Sequence, residues 1–421
     1  MKKYIFFVVG VMCTLLSHTA YAIDLNKSDA NIIGHVLEKK TGEHLPYMTV
    51  ALKGTTIGTM TDGTGHYFLK NLPEGEFILS VSAVGYKPQE RKVTLKRGKT
   101  LEENFELEED MVALDGVVVT ANRNETARRL APTLVKVVTP KLFDMTNSHT
   151  LSQGLVFQPG VRVENDCQNC GYSQVRINGM DGKYTQILID SRPIFSALAG
   201  VYGLEQIPAN MIERVEVVRG GGSALFGSSA IAGTVNIITK EPLRNSGSFA
   251  HSISNFDGSG SFDNNTTLNL SLVSSDNKMG AYIYGQNRHR SAWDSNGDSF
   301  SELPKLKNQT VGVNAYYRLS PYSKLNLEYH HMEEFRRGGN RFDLPPHIAE
   351  DANLNGSGAP GLVEQIEHSI NTGGLKFSAF SKDQKHAFNA YASAQHIVRD
   401  SYYSAYGHTT DFTGVLGAQY I

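Results

Sequence analysis

Cysteine is scarce in this chain: among 421 residues only Cys13, Cys167 and Cys170 occur. So few thiols exclude a disulfide-scaffold domain and any four-thiolate zinc site. An excess of either charge is also missing. Forty Lys and Arg against 42 Asp and Glu leave a formal charge of -2, with no basic balance that would point to nucleic acid. Apolar runs stop after the first few residues, and no later stretch is long enough for a membrane-spanning helix. A barrel strand escapes that test, because only every second residue faces lipid. Catalytic motifs are lacking as well. There is no HExxH, no paired-carboxylate motif and no serine elbow with a histidine partner. The cluster Arg219-Gly-Gly-Gly-Ser223 lacks the downstream Gly-Lys-Ser/Thr of a phosphate loop, and its glycines read as backbone turns. No enzyme, resident metal or cofactor is expected.

What is there begins with a secretory signal over residues 1–22. Lys2 and Lys3 supply the positive start, residues 5–16 the apolar run, and Ala20-Tyr21-Ala22 the cleavage site. An exported chain meets oxidising conditions, so Cys167 and Cys170 are expected to form a small disulfide that staples a loop. Residues 31–108 hold short apolar-alternating runs punctuated by Gly42, Gly54, Asp62-Gly63, Pro73 and Gly85, the pattern of a small β-sandwich. His35, His44 and His66 are scattered through it and read as surface residues rather than a metal site. After an acidic linker, residues 115–122 carry three consecutive valines with no partner strand nearby in sequence. Such a segment can add itself to another protein's sheet edge; the alternative, ranked second, is the first strand of the next domain.

The organising stretch is residues 172–240, read as short strands at 175–178, 186–190, 215–219 and 234–239 around a helical turn opened by Pro208. From residue 247 the pattern changes to eight long alternating strands, with tight connections at 275–278, 320–323 and 381–385 and long ones at 288–308 and 333–367. That asymmetry is the signature of an outer-membrane barrel, with the compact sheet as its plug. The fold class expected is therefore mostly β: an N-terminal β-sandwich, a small α+β plug and a partial antiparallel transmembrane β-barrel. Tyr282, Tyr284, Tyr316 and Tyr329 are expected on the lipid face. Eight strands close too narrowly to hold a plug, and a plugged lumen takes about twenty-two, so the chain is expected to be the N-terminal part of a longer protein. Buried charges must be paired, and Arg176, Glu213, Arg214, Glu216 and Arg219 are expected to tie the plug to the wall.

VRINGMDGKYTQILIDSRPI, followed by IPANMIERVEVVRGGGSALFGSSAIAGTVNIITK, resembles the plug domain of the TonB-dependent receptors of the bacterial outer membrane. GHVLEKKTGEHLPYMTVALKGTTIGTMTDGTGHYFLKNLPEGEFILSVSAVGYKP resembles the carboxypeptidase regulatory-like domain. The resemblance implies a signal peptide at 1–22, the sandwich at 31–108, a TonB box at 115–122, the plug at 123–242 and the first part of the barrel at 247–421. It implies that Asp115, Val117, Val118, Val119, Thr120 and Ala121 form the TonB box, gripped by the TonB–ExbB–ExbD complex. The protein would sit in outer-membrane lipid with its N-terminal domain in the periplasm. It would take up a scarce small molecule, first of all a ferric siderophore. Cobalamin, haem, or a carbohydrate or peptide handed over by a surface lipoprotein remain open. Tyr172, Arg192, Phe195 and Tyr202 are the ligand contacts so implied.

Overall fold

The computed structural model describes residues 30–46, 48–62, 64–83, 85–109, 117–118, 126–127, 135–167, 172–192, 207–222, 226–227, 229–351, 361–383 and 386–420. The N-terminal unit is built from β1 (Ala30–Glu38), β2 (Thr49–Leu52), β3 (Gly58–Met60), β4 (His66–Leu72), β5 (Gly75–Ser82), β6 (Gln89–Leu95), β7 (Thr100–Glu102) and β8 (Phe105–Leu107). One sheet runs β3-β2-β5-β6; in the other, β1 pairs with β4, β7 and β8. Alternation selects the inward face, so Ile32 and Val36 of β1 are buried while Ile33 points out. Ile32, Leu52, Leu69, Leu79, Phe105 and Leu107 form the core between the sheets, each contributing about 1.5–3 kcal/mol by burial. A two-residue ladder follows, β9 (Val117–Val118) antiparallel to β10 (Thr126–Ala127).

The plug comprises β11 (Val135–Val138), α1 (Pro140–Met145), α2 (Leu151–Leu155), β12 (Val161–Cys167), β13 (Tyr172–Ile177), β14 (Thr185–Ile189), β15 (Ile212–Arg219) and β16 (Gly233–Thr239). Proline opens α1, where its missing N–H costs no helical bond. Thr150 and Gln153 cap α2 reciprocally. The central sheet runs β11-β15-β16-β14, with β14 and β16 parallel. β16 is buried along nearly its whole length because elements cover both its faces.

The remaining strands are β17 (Ser246–Asn255), β18 (Phe262–Val273), β19 (Met279–Arg290), β20 (Lys305–Ser320), β21 (Ser323–Gly339), β22 (Val363–Phe380), β23 (Ala387–Tyr403) and β24 (Tyr406–Tyr420), with α3 (Pro346–Ala349) between β21 and β22. Each strand pairs antiparallel with the next in one eight-stranded sheet. The register places Phe249 beside Leu268, Leu327 beside Leu375 and Phe388 beside Tyr420 on the outer face. These side chains are exposed, and Leu416 on the same face is 83% accessible. The inner face carries Asp263, Asn265, Gln286, Arg288, Thr310, Glu334 and Arg336, all buried. Apolar outside and polar inside is the arrangement of a membrane barrel wall.

Two sequence expectations change. Tyr282, Tyr284 and Tyr316 lie on the inner face and are buried, the first two within the plug's own hydrophobic core. Alternation separates two faces but does not say which one an amphipathic tyrosine takes; here the phenol oxygens of Tyr282 and Tyr284 find partners inside, Asn210 O and His330 Nδ1. The connections also alternate less cleanly than expected. One rim has tight turns at 274–278, 321–322 and 381–386. The opposite rim carries the long segments 291–304 and 340–362, but also the short 256–261 and 404–405.

Candidate functional site

The site is the seam between plug and wall, together with the wall above it at the long-loop rim. Its centre is delivered by a tight turn. Asp190 and Ser191 both take positive φ, 46° and 65°, a conformation that Asp tolerates better than most residues. Ile189 and Arg192 exchange backbone hydrogen bonds across this turn. The Asp190 carboxylate accepts from Thr239 N at 3.0 Å and Thr239 Oγ1 at 2.8 Å, and Asn236 Oδ1 accepts from Ser191 N at 2.9 Å. The turn is thereby locked onto β16, and it aims Arg192 at the wall.

Arg192 is only 4% exposed, and its Nη2 donates to Glu328 Oε2 on β21 at 2.5 Å. Asp190 Oδ2 lies 3.7 Å from the same nitrogen. Space for the pair comes from Gly374 on the adjacent strand, where a Cβ would stand 2.4 Å from Glu328 Oε1 and 2.8 Å from Arg192 Nη1. Further polar ties cross the seam. Asn210 Nδ2 donates to Asn269 Oδ1 at 2.9 Å, and Tyr282 OH donates to Asn210 O at 2.9 Å. Lys324 pairs with Glu241 at 3.1 Å where the plug leads into β17.

Arg192 was expected to meet ligand; it is buried in an ion pair instead. The set Arg176, Glu213, Arg214, Glu216 and Arg219 was expected to bridge plug and wall. Arg176 pairs with Glu164 and with Asp181, the latter at 3.0 Å, both within the plug. Arg214 Nε reaches Glu216 Oε1 at 2.9 Å, and the fully buried Glu216 belongs to the same strand. Residues two apart on a strand share a face, so a near partner is preset along the strand. Glu213 lies near Lys240, whose charge it favours, and the Arg219 guanidinium lies over Gly160. Arg192–Glu328 and Lys324–Glu241 do cross from plug to wall.

Of the remaining expected residues, Val117 and Val118 form β9; Asp115, Val119, Thr120 and Ala121 lie outside the described residues. Tyr172 begins β13, while Phe195 and Tyr202 lie outside the described residues. Cys167 ends β12 and Cys170 lies outside, so the disulfide expectation does too. Glu328 and Gly374 were not singled out by sequence reasoning. The one available signal was that Glu328 falls in the polar set of its strand, with Asn326 and His330.

His149 forms the upper part of the seam. Its Nε2 lies 3.2 Å from Ser252 Oγ, and its carbonyl accepts from Gln286 at 3.4 Å. Burial, reinforced by the Arg288 charge and opposed by Asp263, lowers its pKa. The unfolded chain takes up this proton near pH 6.5, the plug only at lower pH. Stability is thus complete above that range and falls as pH drops through it. His149→Asn is expected to weaken the acid sensitivity of thermal unfolding between about pH 7.5 and about pH 5.5. An unchanged slope would remove His149 from this role.

Above the seam the inner wall is rich in cations. Arg288 makes a two-pronged contact with Asp263, at 2.6–3.1 Å, and Arg336 Nε meets Glu334 Oε1 at 2.7 Å. Arg290 donates to Pro304 O at 3.1 Å, and Arg399 stands opposite His368 in the register of β22 and β23. Four guanidiniums thus share this stretch of wall with the carboxylates of Asp263 and Glu334. In the loop of residues 291–304, Asp294, Asp298 and Glu302 gather within 4.8 Å. Their oxygens accept from the loop's own backbone, Gly297 N to Asp294 at 2.7 Å and Phe300 N to Asp298 at 2.8 Å, which closes the loop on itself.

Residues 32–119 match the family described as CarboxypepD_reg-like domain, and residues 127–234 match the TonB-dependent Receptor Plug Domain. A vitamin B12 transporter, BtuB, of Vibrio vulnificus is 32% identical over 229 residues, covering 47% of this chain and 37% of that protein. The BtuB of Photobacterium profundum is 37% identical over 128 residues, 30% of this chain and 20% of that one. Among solved structures, the siderophore receptor PirA from Acinetobacter baumannii superposes with a TM-score of 0.55 at 19% identity, over 68% of this chain and 44% of that one. A ferric enterobactin receptor, PfeA, from Pseudomonas aeruginosa gives 0.53 at 18% identity, over 68% and 46%. At such identities these two establish the shared fold alone. The chain spans less than half the length of each of these relatives.

Proposed function

Since the chain carries a TonB-dependent receptor plug domain seated against strands of a membrane barrel, we propose that it works as an energy-coupled outer-membrane receptor for active uptake of a ferric siderophore. The observation that carries the ligand class is the inner wall at the long-loop rim. Arg288, Arg290, Arg336 and Arg399 share it with the carboxylates of Asp263 and Glu334. In a recess walled by low-dielectric protein, guanidiniums offer an anion charge-assisted hydrogen bonds, and an iron chelate with deprotonated oxygen ligands is an anion. Tyr172, Phe195 and Tyr202 are the plug residues proposed to meet it. The segment 115–122 is the proposed handle for the TonB–ExbB–ExbD complex, and the sandwich is proposed to stand in the periplasm.

Cobalamin is the second reading, favoured by the 32% identity to a vitamin B12 transporter over 229 residues. Uptake assays with radiolabelled ferric siderophore, cobalamin and an oligosaccharide separate the ligand classes. Accumulation of the iron chelate that stops when the proton gradient is collapsed is the expected result. Uptake of cobalamin alone would overturn the ligand, and uptake indifferent to the gradient would overturn the coupling.

A further inference from the structure

A hairpin tip is ordinarily solvated, yet the tip between β2 and β3 of the sandwich is buried, with Thr56 only 9% exposed. Local chemistry stiffens this tip. Gly54 takes a φ of +69°, Thr55 Oγ1 donates to Leu52 O at 2.7 Å, and Ile57 N donates back to Thr55 Oγ1 at 3.1 Å. The turn between β20 and β21, at the short-turn rim of the wall, meets it there. Thr56 N donates to Pro321 O at 2.8 Å, and Thr56 Oγ1 lies 3.3 Å from the same oxygen and 3.4 Å from Ser320 O. Tyr322 packs against the sandwich core.

The wall's side of this contact is equally preformed. Ser320 Oγ lies 2.7 Å from Ser323 Oγ and accepts from Tyr322 N at 3.1 Å. Phe380 N donates to Tyr322 O at 2.8 Å and ties the turn to β22. Arg318 shows which side of the rim the sandwich takes. Tyr316 and Arg318 stand two apart on β20, so they share its inner face, with the guanidinium over the Tyr316 ring. Arg318 Nη1 donates to Asn277 O in the neighbouring turn at 2.5 Å, and its Nη2 comes to 3.5 Å from Gly58 O of the sandwich. A side chain of the inner face thus meets the hairpin. The hairpin therefore stands at the mouth of the lumen rather than against the outer belt.

We propose that the sandwich is a latch on the short-turn mouth of the barrel: docked there it obstructs the way out past the plug, and uptake requires it to swing clear. On the uptake reading above, on which this depends, that mouth is the periplasmic exit. The means of release lies in the sequence. Segment 115–122, the proposed handle, begins a few residues after β8 (Phe105–Leu107), so a pull on it also pulls on the sandwich. The contact suits a latch, because hydrogen bonds at a rim are exchanged for water at small net cost.

The test locks the latch. With the protein in its outer membrane, Thr56→Cys together with Pro321→Cys should oxidise to a cross-link between positions 265 apart in sequence. It is read as a gel-mobility shift that neither single variant shows. Adding Tyr322→Ala should slow this oxidation several-fold. With the cross-link in place, surface binding of a radiolabelled ferric tris-catecholate or of cobalamin should be unchanged while its uptake is lost. Reductant should restore uptake, and the parent chain with the same reductant controls for Cys167 and Cys170. Absence of a cross-link, or an oxidation rate indifferent to Tyr322, would overturn the docked placement. Full uptake by the cross-linked chain would overturn the latch and leave the uptake reading standing. Uptake of neither probe by the parent would overturn that reading and the latch with it. Should the Pro321 variant fail to reach the membrane, Ser320→Cys takes its place opposite Thr56→Cys.

Discussion

Proline in place of Val118 is expected to abolish energy-driven uptake while leaving ligand binding at the cell surface unchanged. Strand addition to a partner's sheet edge works through backbone hydrogen bonds, and proline removes the N–H that such a ladder needs. Val118 stands in sequence between the sandwich, whose last strand is β8 (Phe105–Leu107), and the plug, whose first is β11 (Val135–Val138), so the substitution should leave the fold that binds ligand intact. In the structure the same residue pairs with Thr126 in a two-residue ladder. So few hydrogen bonds make a weak hold, one that a longer strand in a partner can displace. The conservative exchange Val118→Thr keeps the N–H and should keep uptake. Full uptake in the proline variant would remove this segment from the coupling role. Loss of surface binding along with uptake would show that the segment acts on the fold instead.

The second large effect is expected at Arg192. Truncation to alanine leaves Glu328 and Asp190 as close carboxylates with no guanidinium between them. Breaking a buried pair from one side costs about 3–5 kcal/mol. The seam should loosen, seen as faster proteolysis within the plug and a lower unfolding midpoint of the detergent-solubilised chain. The double exchange Arg192→Met with Glu328→Leu should recover most of the loss, because replacing both members by apolar groups of similar volume is often neutral. Gly374→Val should resemble the single variant, since its side chain would enter the space the pair occupies. Parent-like stability in Arg192→Ala would mean that the pair does not hold the plug. A polar seam suits the proposed uptake for a physical reason: hydrogen bonds and ion pairs can be exchanged for water if the plug is displaced, whereas a continuous apolar interface would resist release.

Much of this was legible before any coordinates. The strands of the wall announce themselves because alternation has a period of two and needs only local sequence. The turn-punctuated sandwich is equally local. The tyrosines show the limit of such reasoning. Tyr282 and Tyr284 alternate as barrel residues should, yet they face the plug, and their phase against the membrane depends on what fills the lumen. The same limit explains the charges of β15. Sequence reasoning could say that a buried Glu216 needs a cation, but not that Arg214, two residues away on its own strand, supplies one.

The sequence by itself determined the succession of sandwich, plug and amphipathic strands, and the polar or apolar character of each strand face, because turn chemistry and side-chain alternation act between near neighbours. Only the tertiary structure decided that Arg192 meets Glu328 across the seam, that Gly374 makes room for them, and that Thr56 of the sandwich meets the turn at Pro321. Each of these rests on strand register and on the docking of one element against another, which join residues remote in sequence.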